Sequence, residues 1–311
     1  MAYAVCRGIA RREARNFYYS FLALPRAKRN ALSAVYAFMR HADDLSDDQT
    51  RSVEERKARL SSWLAEWHRV QSGTSSDDPV FLALADAQKR FQIPAVLLDQ
   101  LVQGTCMDLE AAPTAPIGAN PEPKSQGGTA TLSALRVHRT FADLYRYCYF
   151  VASVVGLVCI RIYGYEDRRA EELAERCGVA FQLTNIIRDV KEDASLGRVY
   201  FPEEDLVQFG LASDDFLKGE GKRLAPGRLA ELLALEADRA REYYRSGEEL
   251  MPLIHRDSRA ALWVMVTIYR SLLEKIAKSN YDVLNRRVRL SAAEKFAILG
   301  RGLMKSVFRA V

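Results

Sequence analysis

The 311-residue sequence lacks the marks of several large classes of protein. Its formal net charge is only +5, and it has no zinc-finger spacing, RNA-binding signature or basic arm, so nucleic acid is not an expected partner. Its five cysteines (Cys6, Cys106, Cys148, Cys159 and Cys177) are odd in number and lack metal-ligand spacing. Cys148 and Cys159 sit among apolar residues as buried thiols, which fits a reducing cytoplasm. The N-terminus lacks the apolar core of a signal peptide. The longest near-continuous apolar run, Tyr147 to Ile160, is closed by Arg146 and Arg161. It is too short to span a bilayer and reads as a buried core helix. No Gly-x-Gly-x-x-Gly follows a strand. Strand alternation is itself missing, because nearly every segment has helical period.

What remains is a succession of helices. The first spans residues 1 to 21, and Pro25 opens the next, which runs into an aspartate cluster. Ser52-Val-Glu-Glu55 predicts a capping box, and Asp78-Pro79 a cap with a first-turn proline. Pro94 opens another helix. Residues 111–133 hold Pro113, Pro116, Pro121, Pro123 and Gly127-Gly128, and predict a long loop inserted in the fold. Helices follow over about 140–163, 168–193, 227–249, 257–280 and 291–310, with a loop-rich stretch at 194–225. These elements predict a single all-α domain over 1–311, a helical array around a central cavity.

Two acidic stretches stand out. One is Tyr36-Ala-Phe-Met-Arg40-His-Ala-Asp43-Asp44-Leu-Ser-Asp47-Asp48; the other is Gln182-Leu-Thr-Asn185-Ile-Ile-Arg188-Asp189-Val-Lys-Glu-Asp193. Residues three or four apart share a helix face, so Tyr36, Arg40, Asp43 and Asp47 form one stripe and Gln182, Asn185, Asp189 and Asp193 another. Paired carboxylates repel, and an oxygen-seeking divalent ion offsets the repulsion. Taken singly, each stretch reads as a solvated helix end, with Arg40 and Arg188 in salt bridges to their aspartate neighbours. Together they describe a negative cleft in which Mg2+, or Mn2+, bridges to a phosphate ligand.

These two stretches, with Gly197-Arg198-Val-Tyr200-Phe-Pro202 after the second, resemble the squalene/phytoene synthase family from about Ala10 onward. The resemblance implies a prenyltransferase that joins two prenyl diphosphates head to head. It implies metal or diphosphate contact at Asp43, Asp47, Asn185, Asp189 and Asp193, with Asp44 as an extra carboxylate. It implies diphosphate or prenyl contact at Arg40, Arg188, Gln182, Tyr36 and Tyr269, and places Tyr147 at the reaction centre. Arg15 and Asn16 lie where the family carries a polar patch, though without its usual Ser or His. Phe17, Phe21 and Val151 are expected to wall the prenyl cavity. Use of NADPH is left open, since squalene synthases lack a dinucleotide fingerprint too.

Two rivals remain. A terpene cyclase would carry Asn/Asp, Ser/Thr and Glu in its second motif, where this chain has Asp189 and Asp193. A non-catalytic assembly factor on the same fold would be expected to lose the acidic ligands. Phe17 and Phe21, one turn apart, predict a short cavity, and hence farnesyl diphosphate and a C30 product; geranylgeranyl diphosphate and phytoene are the alternative. From Arg286 onward, seven basic residues (Arg286, Arg287, Arg289, Lys295, Arg301, Lys305, Arg309) face one acid, Glu294. Phe296, Leu299, Leu303 and Val307 form a stripe beside them. A core helix with a basic back is one reading; peripheral contact with the inner face of a membrane is the other. A monomer is expected.

Overall fold

The computed structural model describes residues 1–110, 136–217 and 226–307. The expected insertion at 111–133 therefore lies outside the described residues, as do the side chains of Arg15 and Val307 and the whole of Arg309. The helices are α1 (Ala2–Glu13), α2 (Arg15–Leu22), α3 (Arg26–Ser46), α4 (Val53–Gln71), α5 (Pro79–Phe91) and α6 (Ala95–Glu110). Then come α7 (Phe141–Cys148), a π-helical turn (Tyr149–Ser153), α8 (Val154–Tyr163), α9 (Arg169–Ser195), α10 (Glu203–Gln208) and α11 (Ser213–Leu217). The C-terminal part holds α12 (Pro226–Leu250), α13 (Arg256–Lys278) and α14 (Ala292–Val307). The fold is all-α, as the helical periodicity implies.

Two sequence expectations are corrected. The opening helix is two helices, because Ala14 leaves helical geometry at φ −74°, ψ −2° and turns α2 away from α1. Two short strands also exist: β1 (Arg136–His138) pairs in parallel with β2 (Arg198–Pro202). Strands of three and five residues are too short to announce themselves by alternation. The caps are as expected: Ser52 Oγ accepts from the Glu55 N–H at 3.2 Å, and Asp78 caps the helix that begins at Pro79.

The longest helix, α9, packs against α12, α8, α13 and the π turn. Its small residues let the neighbours come close. A Cβ on Gly178 would lie 2.5 Å from the Ser153 Cα, and one on Gly156 would lie 2.9 Å from the Ala174 carbonyl oxygen. Ser153 Oγ donates to the Glu175 carbonyl at 2.7 Å and locks the contact. On the other side of the π turn, a Cβ on Gly104 would lie 2.6 Å from the Phe150 carbonyl oxygen. The π turn is thus held between two glycine-bearing helices, α6 and α9. The unbroken helical stretch Phe141–Tyr163 is long and apolar enough, by length and composition alone, to cross a membrane. Here its apolar surface is used against α6 and α9 and to wall an internal cavity.

A buried charge cluster fixes α10 to α12. The Arg239 guanidinium pairs with Asp205, with one bond at 2.9 Å, and with Glu236 at 3.0 Å, and lies 4.6 Å from the centre of the Phe141 ring. One arginine thus faces two buried carboxylates. Burial pushes the Glu236 carboxyl up to about 7, with Arg239 opposing.

Two expectations follow. Gly178→Ala should lose about 1–3 kcal/mol in denaturant unfolding, since the added carbon meets backbone that cannot yield; unchanged stability would contradict the packing. Glu236 holds its proton in the folded state to a higher pH than when unfolded, so its contribution falls as pH rises from the ordinary carboxylate range through about 7. The melting temperature of Glu236→Gln relative to the parent should therefore rise between about pH 5 and about pH 8. A pH-independent difference would show that Glu236 stays ionised.

Candidate active site

A cavity of about 970 Å³ lies between α2, α3, α8, α9 and α13. Its polar end is built from the expected stripes. Tyr36, Arg40 and Asp43 reach it from α3, and Gln182, Asn185 and Arg188 from α9, with Asn16 and Tyr269 beside them. Phe17, Phe21 and Val151 line it as expected. Asp47, Asp189, Asp193, Asp44 and Tyr147 are not part of the cavity wall.

The two acidic stretches differ in how their charge is met. The Asp43 carboxyl is pushed up to about 6, chiefly by burial and then by the Asp47 carboxylate; Thr105 Oγ1, which donates to Asp43 Oδ1 at 3.2 Å, opposes the shift. Arg40 is turned the other way, onto Asp44 at 2.5 Å. That pair is exposed and i,i+4, worth about 0.3–0.5 kcal/mol, so it gives way easily to a better partner for Arg40. Asp47 caps the C-terminal end of α3 and is exposed.

Asp189 is instead well met. Arg188 grips it with two guanidinium nitrogens, and Arg287 Nη2 reaches its Oδ1 at 2.7 Å. Both Arg188 and Asp189 are less than a fifth exposed. Arg287 also lies 3.4 Å from Glu192. The salt bridges that the bare sequence suggests for Arg40 and Arg188 are therefore present.

Tyr269 closes this end. Its ring lies 4.8 Å from Phe181 and, edge-on, 6.0 Å from Phe17. Burial raises its pKa, opposed by the charge of Arg188 and then by the side chains of Asn185 and Asn16. Asn185 Oδ1 is buried with no hydrogen-bond partner. A buried amide oxygen without a donor is costly, and it sits one helical turn from Asp189. It is an acceptor that suits a cation.

The donor set fits a hard divalent ion in part. Asp43 and Asn185 supply oxygen with unmet demand, while Asp189 is already held by two arginines. Among the described residues no group of three or more His, Cys, Asp or Glu side chains is gathered for a metal. A site built on Asp43, Asp47, Asn185, Asp189 and Asp193 therefore needs a phosphate ligand to complete it and to take the arginines, which is how Mg2+ is commonly held.

Several placements differ from expectation. Asp44 is exposed and engaged by Arg40. Tyr147 is buried and stacked 4.9 Å from Tyr200 of β2, with His138 of β1 at 5.5 Å, so it braces the cavity from outside the wall. Arg287 and Thr105 were not legible as site residues. Arg287 arrives because Asn280 and Tyr281, at φ 53° and 56°, fold the chain back from the end of α13. Asn at such a position is a recognisable turn signal; the direction it gives the chain is not. Thr105 carries no local signal.

The squalene/phytoene synthase family model matches residues 10–294. A phytoene synthase of Mycobacterium tuberculosis is 35% identical over 309 residues, covering 98% of this chain and 92% of its own. A 15-cis-phytoene synthase of Synechococcus elongatus is 31% identical, over 98% of this chain and 93% of its own. Among solved structures, a dehydrosqualene synthase in complex with ligand superposes with a TM-score of 0.80 at 28% identity, over 100% of this chain and 97% of its own. A squalene synthase from Alicyclobacillus acidocaldarius gives 0.74 at 26% identity, over 90% of this chain and 94% of its own. With its helical array around an apolar cavity and its acidic and arginine-rich mouth, the chain belongs to the squalene/phytoene synthase family, prenyltransferases that condense two prenyl diphosphates head to head.

Proposed function

We propose that this chain condenses two molecules of geranylgeranyl diphosphate to phytoene. The observation that carries this reading is the likeness, over 98% of the chain, to relatives named phytoene synthase at 35% and 31% identity. Along α3 the wall runs from Asp43 at the mouth to Leu32, eleven residues or about 16 Å at the helical rise. From Val151 to Tyr163 it runs twelve residues, about 18 Å. Gly156, Ala174 and Gly178 line it along one side.

The expectation of farnesyl diphosphate rested on two rings in the path. Phe17 packs against Tyr269 at the polar end, so on this reading the length of the cavity is left to Phe21. Phe21, whose carbonyl is held by Arg29 near the start of α3, remains as a floor at the deep end. That ring is the observation favouring the C15 reading, along with the dehydrosqualene synthase likeness.

In this reading Arg40, Arg188 and Arg287 exchange their aspartates for diphosphate oxygens, which arginine binds bidentately. Asp43, Asp47, Asn185, Asp189 and Asp193 would hold Mg2+ or Mn2+. The ion would neutralise diphosphate charge and improve it as a leaving group. The faces of Phe17, Phe181, Tyr36 and Tyr269 stabilise the allylic cation left after ionisation, and the apolar wall keeps water from it. The cation attacks the C2–C3 double bond of the second molecule, and proton loss to the diphosphate held by the arginines closes a cyclopropyl ring. A second ionisation releases the remaining diphosphate, and rearrangement with loss of a second proton to it gives the C40 hydrocarbon.

Competition between farnesyl and geranylgeranyl diphosphates with Mg2+, with products resolved by mass, tests the choice. A higher specificity constant for geranylgeranyl diphosphate and a C40 product are expected; preferred C30 product would reverse it. For the site, Asp43→Asn should lower turnover by on the order of a hundredfold or more, the scale for removing a group that meets developing charge. Its thermal stability without substrate should hold or rise, because the repulsion with Asp47 is gone. Turnover close to that of the parent at saturating Mg2+ would remove Asp43 from the site.

A further inference from the structure

Beneath the apolar wall at the deep end of the cavity lies a polar latch. Three helices reach that end in step. On α3 the wall descends from Asp43 through Tyr36 to Leu32, on α13 from Tyr269 through Met265 to Leu262, and on α8 from Val155 through Cys159 to Tyr163. One turn below Leu32 is Lys28, and one turn below Leu262 is Ser258. The Lys28 ammonium donates to the Tyr163 carbonyl at 2.7 Å, to Asp257 Oδ1 at 2.6 Å and to Ser258 Oγ at 3.0 Å. Ser258 Oγ lies 3.1 Å from the same carbonyl. The ends of α3, α8 and α13 are thus joined at one backbone oxygen.

The latch belongs to the interior. Ser258 is fully buried and the Lys28 side chain is only 12% exposed. An ammonium so placed is costly unless its protons are bonded, and Lys28 has three acceptors for three protons. The backbone repeats the tie. Gly164, next to Tyr163, turns at φ 80°, and its carbonyl accepts from the His255 N–H at 2.8 Å. A Cβ on Gly164 would lie 2.3 Å from His255 Nδ1, so this junction has no slack. Arg29, beside Lys28, anchors the end of α2 by donating to the carbonyls of Phe21, Leu22 and Leu24.

Tyr163, held at its own carbonyl, is 3% exposed and lines the cavity. Burial raises the pKa of its hydroxyl well above the usual tyrosine range, and the Cys159 and Cys177 thiols add to the rise. Cys159 is on α8 and Cys177 on α9, and both line the cavity, so the ring reaches from α8 toward α9. Phe21 bounds the same end from α2.

We propose that Tyr163 is the floor that limits the length of prenyl chain this enzyme accepts, and that Lys28 and Ser258 are positioning residues that hold it there. A floor fixed by backbone bonds rejects a longer chain by clash, which discriminates more sharply than a lost contact. The inference rests on the prenyl-condensing reading of the cavity, but not on which chain length the parent prefers.

The test assays farnesyl, geranylgeranyl and geranylfarnesyl diphosphates singly with Mg2+ and takes the ratio of each specificity constant to that of the next shorter substrate. The parent's limit is the ratio at which the value drops. Tyr163→Leu should raise that ratio by about tenfold or more, the scale on which a few methylenes are discriminated in an apolar pocket. Lys28→Met, which leaves the wall itself intact, should raise it several-fold. Inhibition by inorganic pyrophosphate, which reads the mouth alone, should move less than about twofold in both, the difference expected of variants that leave the arginines in place. Circular dichroism checks the fold, and Lys28→Met carries the test if Tyr163→Leu does not fold. An equal fall for all three substrates, as a purely structural role would give, overturns the proposal, and so do unchanged ratios. A parent that prefers farnesyl diphosphate reverses the C20 reading instead, and the same variants then decide the floor at the C20-to-C15 ratio.

Discussion

The arrangement at the cavity mouth depends on unequal neutralisation of two carboxylates. Asp189 is clamped by Arg188 and Arg287, while Asp43, half-buried and next to Asp47, accepts from Thr105 and has the charge of Arg40 farther off. The partners at the mouth are therefore unevenly shared. Two of its arginines are spent on one aspartate and a third on an exposed one, Asp44. A polyanion arriving with a divalent cation offers each group a better match: phosphate oxygen for the guanidiniums, metal for the carboxylates and for the orphaned Asn185 Oδ1.

That exchange is useful only if the rest of the fold holds still. Rigidity comes from backbone-level packing of the π turn against α6 and α9, where Gly104 and Gly178 leave no room for a side chain. π-helical turns concentrate at functional sites because they redirect side chains within a continuous helix. Here the turn carries Val151 and Ala152 into the cavity wall. On its far side, Tyr147 stacks on Tyr200, tying the same stretch to β2, and the Asp205–Arg239–Glu236 cluster ties α10, just after β2, to α12. The apolar length of Phe141–Tyr163 is then the wall of a hydrocarbon cavity.

Much of this was legible in the sequence, and the exceptions have physical reasons. The helical period, the Ser52 capping box, the Asp78-Pro79 start and the two acidic stripes are local patterns, and local patterns survive reading in one dimension. The stripes also gave Tyr36, Arg40, Asp43, Gln182, Asn185 and Arg188 as residues on one wall. Distances across the fold were not readable. Arg287 depends on a left-handed pair at Asn280 and Tyr281, Thr105 on the seating of α6 beside α3, and the outward place of Tyr147 on a strand pair too short to see. The two rings of α2 show the same limit. Phe17 and Phe21 both line the cavity, but the packing of Phe17 against Tyr269 of α13 is a contact across the fold.

The most direct test of the exchange at the mouth is a crystal structure with Mg2+ and a thiodiphosphate analogue of geranylgeranyl diphosphate, which binds without ionising. The expected result is that Arg188 and Arg287 leave Asp189 for the analogue's phosphate oxygens, with Asp43, Asp189 and Asn185 Oδ1 turned to the metal. A bound analogue with both arginines still on Asp189 would contradict it.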